Sequence, residues 1–322
     1  MSAQTIQPVK KSGVAINVLL SLTLLGLLAL MWLALSLATP TFWTSVNIEN
    51  LLRQGAMIAI LAIGETFVII TAGIDLSVGA VVGFTSLTVA LMLGAGYAIW
   101  SSVLASLLVG VGIGVFHGFG IVQMRLPPFI MTLATMQALR GIGLLITNGA
   151  TISITNETFT DFSRGSVFGA PNLFLLVLLV AVPAFVFLHL SKWGRYLFSI
   201  GSNAEAARLS GVNTKGMIYV AYILSATCAA FVGVMLGMRI GIGNPTQGEG
   251  WELQAIASSV IGGTSLFGAV GSVYGPLLGS FILTTINNGA NLLNLNSFWQ
   301  RIITGLLIIV IVYFDGLRRQ KR

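Results

Sequence analysis

The sequence has 322 residues, of which 56% are hydrophobic and only 8% charged, with a formal net charge of +7. Soluble domains carry roughly 25% charged residues, because their surface needs them, so this composition excludes a soluble fold and makes lipid the natural solvent. The basic excess does not mark a nucleic-acid binder: it falls in short patches between apolar runs and at the chain ends, as in loops that flank membrane spans.

A spanning helix needs about 20 apolar residues. The first such run, 15–38, follows Lys10 and Lys11. It exceeds the roughly 7–15-residue apolar core of a signal peptide and reads as a retained helix. Further runs lie at 51–71, 77–95, 99–122, 128–147, 172–190, 216–238, 253–270, 272–290 and 299–315. Together they predict an all-α integral membrane protein of about ten transmembrane helices. The third, eighth and ninth are glycine-rich and expected to be discontinuous. The whole of 1–322 reads as one transmembrane domain, with tails at 1–14 and 316–322 and a large basic loop at 191–215.

Charge sets the orientation. With the N-terminus in the cytoplasm, the inner segments hold Lys10, Lys11, Arg125, Lys192, Arg195, Arg208, Lys215, Arg318, Arg319, Lys321 and Arg322. The outer segments hold Arg53, Arg140, Arg164, Arg239 and Arg301. Eleven against five satisfies the positive-inside rule, with both termini cytoplasmic. The largest outer loop, 148–172, is β-prone at Thr151–Thr155 and carries Glu157 and Asp161.

Chemistry-bearing motifs are scarce. There is no Gly-x-x-x-x-Gly-Lys-Ser/Thr loop for phosphates, and no nucleophile stands beside an evident base. The two histidines, His117 and His189, have no carboxylate or cysteine near them in sequence, so no metal site is expected; Cys228 reads as an inert buried thiol. Charge within a span costs roughly 2.5–3.5 kcal/mol at its centre, and the candidates are Glu65, Asp75 and Arg140. Asp75 lies in a glycine-flanked break, Gly73-Ile74-Asp75-Leu76-Ser77-Val78-Gly79, where a carboxylate can accept hydrogen bonds from freed backbone N–H groups. Glu65 is the carboxylate expected inside the bilayer. The chain therefore reads as neither an enzyme nor a binder of its own cofactor, and its energy must come from a partner.

Gly263-Thr264-Ser265-Leu266-Phe267-Gly268 faintly echoes that break. Between the two, the basic loop carries Gly194-Arg195-Tyr196 and Asn203-Ala204-Glu205-Ala206-Ala207-Arg208-Leu209-Ser210-Gly211. Asn203 can cap a short helix with Glu205 in its first turn, and Gly211 can end it in a left-handed conformation. The small residues Ala204, Ala206 and Ala207 would let another protein approach closely. The same features also suit a solvated loop with one helical turn.

Two of these stretches resemble known signatures. Glu205-Ala206-Ala207-x-x-x-Gly211 is similar to the EAA loop of ATP-binding-cassette importer permeases, and Thr71–Gly79 to the GGIDLSVG signature of the ribose-type monosaccharide permeases, with Ala72 in place of a frequent glycine. Gly194-Arg195-Tyr196, Ala255-Ile256-Ala257 running into Gly262-Gly263-Thr264-Ser265-Leu266, and Asn287-Asn288-Gly289 with Asn291-Leu292-Leu293 resemble the same family in the same order. The resemblance covers about 45–315 and implies a permease of the bacterial inner membrane. It also implies a second permease copy or paralogue, a cytoplasmic ATPase with two nucleotide-binding domains that binds the ATP and Mg, and a periplasmic sugar-binding protein. The implied cargo is a monosaccharide such as ribose, with a nucleoside or furanose signalling molecule as the alternative; a stand-alone ion-coupled carrier is the rival class. On this reading the coupling loop is Gly194, Arg195, Asn203, Glu205, Ala206, Ala207, Arg208 and Gly211, and the signature break is Gly73, Asp75, Leu76, Ser77 and Gly79. A neutral sugar needs amides rather than counter-charges, and Glu65, Asn287, Asn288 and Asn291 are the candidate pathway residues, packing or capping being the other role open to the asparagines.

Overall fold

The computed structural model describes residues 12–320, so Lys10 and Lys11, most of the 1–14 tail, and Lys321 and Arg322 lie outside the described residues. The chain is helical along most of its apolar runs. In order these are α1 (Ser12–Ala38), α2 (Ser45–Ile70), α3 (Val78–Gly94), α4 (Ile99–Val122), α5 (Pro128–Thr147), α6 (Glu157–Arg164) and α7 (Asn172–Phe185). There follow α8 (Lys192–Ser202), α9 (Ala204–Leu209), α10 (Thr214–Ile240), α11 (Trp251–Ile261), α12 (Tyr274–Leu292) and α13 (Ser297–Gln320). A π-helical turn, Val186–Leu190, extends α7 past Pro183.

Six helices are long and apolar enough to cross a membrane: α1 from Leu20, α2, α4, α5, α7 with its π turn, and α10. Among the shorter apolar helices is α3. Of the three glycine-rich runs expected to be discontinuous, the third and ninth are instead continuous helices, α3 and α12, and only the eighth, 253–270, is broken. Only its first part is helical, as the 11-residue α11, and 262–273 is irregular backbone. The reason is local. Gly262 sits against the Gly275 carbonyl, and Gly263 and Gly268 take positive φ values of 92° and 84° that a helix cannot use.

Helices α2 and α10 form the centre and are buried along most of their length, while α1, α4, α5 and α7 expose one side. Small residues let the backbones approach, which in lipid is the main source of helix association. Gly110, Gly114 and Gly118 form a stripe on α4 that seats against α10. A Cβ at Gly110 would meet the Ala226 carbonyl, and one at Gly114 the backbone of Tyr222 and Ile223.

The bundle has two distinct ends. At one, Tyr219 on α10 donates to Gln123 beyond α4 (2.7 Å), and Ser265 donates to Asp315 on α13 (3.0 Å). Arg125, Lys192, Arg195, Arg208 and Lys215 flank the helices that end there. At the other end the β-prone stretch expected in the 148–172 loop supplies a two-residue strand, β1 (Ile152–Ser153). Two more short strands, β2 (Ser166–Val167) and β3 (Ala170–Pro171), pair with each other. β1 pairs antiparallel with β4 (Ile242–Gly243), Ile152 opposite Gly243. Arg53 reaches the Arg164 carbonyl at 3.3 Å on this side.

Candidate functional site

Four places carry the residues expected to matter: the two backbone breaks, the α8–α9 hairpin, and a polar cavity at the opposite end.

The first break, 71–77, interrupts the passage from α2 to α3 where both are buried. Backbone groups freed from a helix at such depth must find partners. Here side chains provide them. Glu65 Oε1 accepts the N–H of Asp75 (3.0 Å), and Thr132 on α5 accepts the N–H of Leu76 (3.1 Å). Asp75 Oδ1 accepts both the N–H and the hydroxyl of Ser77 (3.0 and 2.6 Å), and Oδ2 accepts the Ser225 hydroxyl from α10 (2.9 Å). Asp75 therefore has the backbone-satisfying role read from its glycine-flanked position. Gly73 and Gly79 are needed for contact: a Cβ would meet the Tyr222 hydroxyl at the first and the Gly248 carbonyl at the second.

One sequence expectation changes here, and one contact is new. Glu65, a pathway candidate by sequence, has its side chain wholly buried and tied to the break. It is an internal cap rather than a lining residue. His117, with no carboxylate near it in sequence, packs with Nδ1 3.9 Å from Asp75 Oδ2 and edge-on to Tyr222.

The second break, 262–273, repeats the arrangement. Ser265 Oγ accepts the N–H of Phe267 (3.3 Å), as Asp75 does for Ser77, and Asp315 accepts the N–H of Leu266 (3.0 Å), as Thr132 does for Leu76. Ala72 and Ala269 both adopt left-handed backbone, φ 62° and 61°. The two segments also meet: Ile74, Leu76 and Leu266 pack on the cluster of Ile69, Ile256 and Val260, and the Ala269 N–H donates to the Ile70 carbonyl (2.9 Å). The faint echo in sequence is thus a correspondence in hydrogen bonding.

The hairpin sits beside that junction. Ser191 caps α8, accepting from the N–H groups of Trp193 and Gly194 (3.1 and 3.2 Å). Gly194 passes so close to the Leu188 carbonyl that no side chain fits. Arg195 stays exposed and reaches the Ser191 carbonyl at 3.3 Å. That 192–202 is itself helical was not anticipated. Helix α9 is as read: Asn203 caps it by accepting the Ala206 N–H (2.9 Å), and Gly211 follows it at φ 84°. Arg208 donates to both carboxylate oxygens of Glu205, its Nε to Oε2 at 3.0 Å, and this holds the Glu205 carboxyl below its ordinary range. Ala204, Glu205, Ala206 and Arg208 are exposed, whereas Ala207 is buried in the chain's own core, so it anchors the helix rather than offering a surface. Leu209, overlooked in sequence, stands 73% exposed beside them. At the hairpin's heart lies Gly201, where a Cβ would run into the Ile70 carbonyl oxygen and the Ala269 amide. The exposed helix is thus one short step from both breaks.

The cavity, about 430 Å³, lies between α5, the start of α11, α12 and α13, and its lining includes Arg140, Glu252, Gln254, Asn287, Gln300 and Thr304. The three asparagines separate. Asn287 lines the cavity; Asn291 supports it by accepting from Gln300 Nε2 (2.6 Å). Asn288 faces elsewhere, exchanging hydrogen bonds with Asn47 of α2 (2.7 and 3.3 Å). Glu252 is a residue that the sequence reading leaves out, although two carboxylates, Glu249 and Glu252, just before the glycine-rich run at 253–270 are a readable signal.

Residues 47–312 match the family model described as branched-chain amino acid transport system / permease component. The ribose import permease protein RbsC of Bacillus subtilis (strain 168) is 40% identical over 90% of this chain and 91% of its own length. The protein of the same name from Escherichia coli (strain K12) is 36% identical over 92% and 94%. The xylose transport system permease protein XylH of Escherichia coli (strain K12) is 32% identical over 85% and 86%. No solved structure matches the chain.

Proposed function

This chain belongs to the branched-chain amino acid transport system / permease component family, and from that premise we propose that it is the membrane subunit of an ATP-driven importer that moves a ribose-type monosaccharide. It is a multi-pass protein of the bacterial inner membrane. Ten elements cross, with α11 and the irregular 262–273 together making one crossing. Both termini lie on the cytoplasmic side, an orientation supported by the gathering of Arg125, Lys192, Arg195, Arg208 and Lys215 at one end.

The observation that carries the reading is the placement of Gly201. The α8–α9 hairpin offers an exposed, capped helix to the cytoplasm, and its packed base touches Ile70 and Ala269, the points where two buried helices are interrupted. A push on α9 has a short rigid path to the backbone that must rearrange. The engine is a separate ATPase with two nucleotide-binding domains, which holds the ATP and Mg; this chain carries no cofactor. A second permease, either a copy or a paralogue, completes the pathway, and a periplasmic binding protein delivers the sugar.

The assembled importer in proteoliposomes tests this. A binding protein loaded with ribose, xylose or allose should stimulate ATP hydrolysis and uptake. Uptake driven by an ion gradient without ATP, or hydrolysis indifferent to every loaded binding protein, would overturn it.

A further inference from the structure

The cavity between α5, α11, α12 and α13 has a composition that lipid cannot face. Arg140 has Nε and Nη2 buried without a hydrogen-bond partner, and Glu252 has Oε2 in the same state. Glu252 Oε1 accepts the Gly250 N–H at 3.2 Å, which fixes the carboxylate, while Oε2 is packed against Gly79 at the start of α3. The neighbouring lining groups are the carboxylate of Glu249, the amides of Gln254, Asn287 and Gln300 and the hydroxyl of Thr304. Unpaired charge in hydrocarbon is costly, and such residues line water-filled paths or protein interiors instead. The cavity lies among the helix ends opposite the α8–α9 hairpin: the start of α11, the last third of α12 and the start of α13. On the proposed orientation it therefore opens towards the periplasm.

Its chemistry fits one kind of small molecule. Each sugar hydroxyl both donates and accepts, so a polyol is held by a mixture of fixed donors and acceptors around a small space. Among the lining side chains Arg140 brings donors only, Glu249 and Glu252 acceptors only, and the three amides both. The volume falls within the range of small-molecule sites, roughly 300–1,000 Å³. A zwitterionic amino acid would also suit a guanidinium opposite a carboxylate. Its branched apolar side chain would then need an apolar pocket, and the lining named here offers only Leu253.

We propose that this cavity is the outer transit site for the sugar, with Arg140 and Glu252 as the donor and acceptor that hold its hydroxyls and Gln254, Asn287 and Thr304 as its further contacts. The proposal rests on the permease reading and adds the residues that touch the cargo. A transit site must bind without trapping, and uncharged hydroxyls against a few fixed polar groups satisfy that.

The test uses the complete importer in proteoliposomes, with labelled ribose, xylose, allose and leucine each supplied with its binding protein. Glu252→Gln and Gln254→Ala should lower sugar uptake per ATP hydrolysed by up to about tenfold, the effect of one lost hydrogen bond, while loaded binding protein still stimulates hydrolysis. Because Cys228 is the sole cysteine, Cys228→Ser with Thr304→Cys gives a single thiol in the cavity. A bulky membrane-impermeant thiol reagent should block uptake, and labelling should slow when the sugar is present. Unchanged uptake in the two variants together with labelling indifferent to sugar would overturn the site. Uptake of leucine in preference to the sugars would overturn the polyol assignment. Failure of the unmodified importer to move any of the three sugars would instead sink the cargo reading, and this proposal with it.

Discussion

The Glu65 carboxylate accepts the backbone N–H of Asp75, ten residues further on, at 3.0 Å. A side chain inside α2 therefore completes the break that follows it, and Asp75 in turn completes the start of α3 through Ser77. An unsatisfied buried N–H costs about 1–3 kcal/mol. Glu65→Gln keeps an acceptor of the same shape and should leave thermal stability in detergent nearly unchanged. Glu65→Leu removes the acceptor and should lower the unfolding midpoint by several degrees. Equal midpoints for the two variants would show that the N–H is satisfied some other way.

The hairpin makes a prediction at Gly201. Adding one methyl group there pushes the Ile70 carbonyl and Ala269 amide apart, although they share a 2.9 Å hydrogen bond. Gly201→Ala should insert and assemble yet lose coupling, so that hydrolysis continues while uptake falls at least about tenfold, the reach of 1.4 kcal/mol. Uptake and hydrolysis falling together would place the defect in assembly.

Docking of the ATPase rests on α9. Glu205→Lys reverses the exposed carboxylate, and Gly211→Val forces a β-branched side chain into backbone at φ 84°. Each should release the ATPase from membranes or uncouple it, with the permease still inserted. Co-purification of the ATPase in normal amount, with normal uptake, would remove α9 from the interface.

Acidity should not undo that interface early. The Arg208 hydrogen bonds hold the Glu205 carboxyl below its ordinary range. A carboxylate so lowered keeps its ion pair at every pH above the ordinary value, about 4.3, and loses it only as pH falls through the lowered one. Retention of the ATPase on washed membranes should therefore stay level from about pH 8 to pH 5 as far as Glu205 is concerned. In Arg208→Ala, the onset of release should move to higher pH. An unshifted onset would separate Glu205 protonation from docking.

What could be read from the sequence follows how local each signal is. Asn203 and Gly211 frame α9 by short-range rules, and the structure has the cap and the left-handed residue where those rules put them. Asp75 was legible for the same reason, since glycines around a lone carboxylate announce a break. Glu65, His117 and Ser225 converge on Asp75 from three different helices, and nothing in their spacing says so. Which of the glycine-rich runs would break was hidden, because apolar composition does not distinguish a helix from irregular backbone buried among helices. Orientation about a helix axis was equally hidden. In a chain apolar on every side there is no polar face to show which way Asn287 or Asn288 points.

That last pair separates pathway from scaffold. Asn287 faces the cavity, whereas Asn288 is clasped to Asn47, which also donates to the Phe42 carbonyl at 2.8 Å. Asn288→Ala breaks a reciprocal amide pair and leaves the Asn47 oxygen without that donor. Stability should fall by about 1–2 kcal/mol, the cost of a buried group left unpaired, with uptake per folded complex unchanged. Asn287→Ala removes a cavity amide whose loss frees no partner group, so its effect should run the other way: near-normal stability with reduced uptake. The two residues are adjacent on one turn and equal in chemistry. A common effect of both substitutions would therefore mean that this end of α12 acts as a single packed unit and that the cavity does not carry the sugar past Asn287.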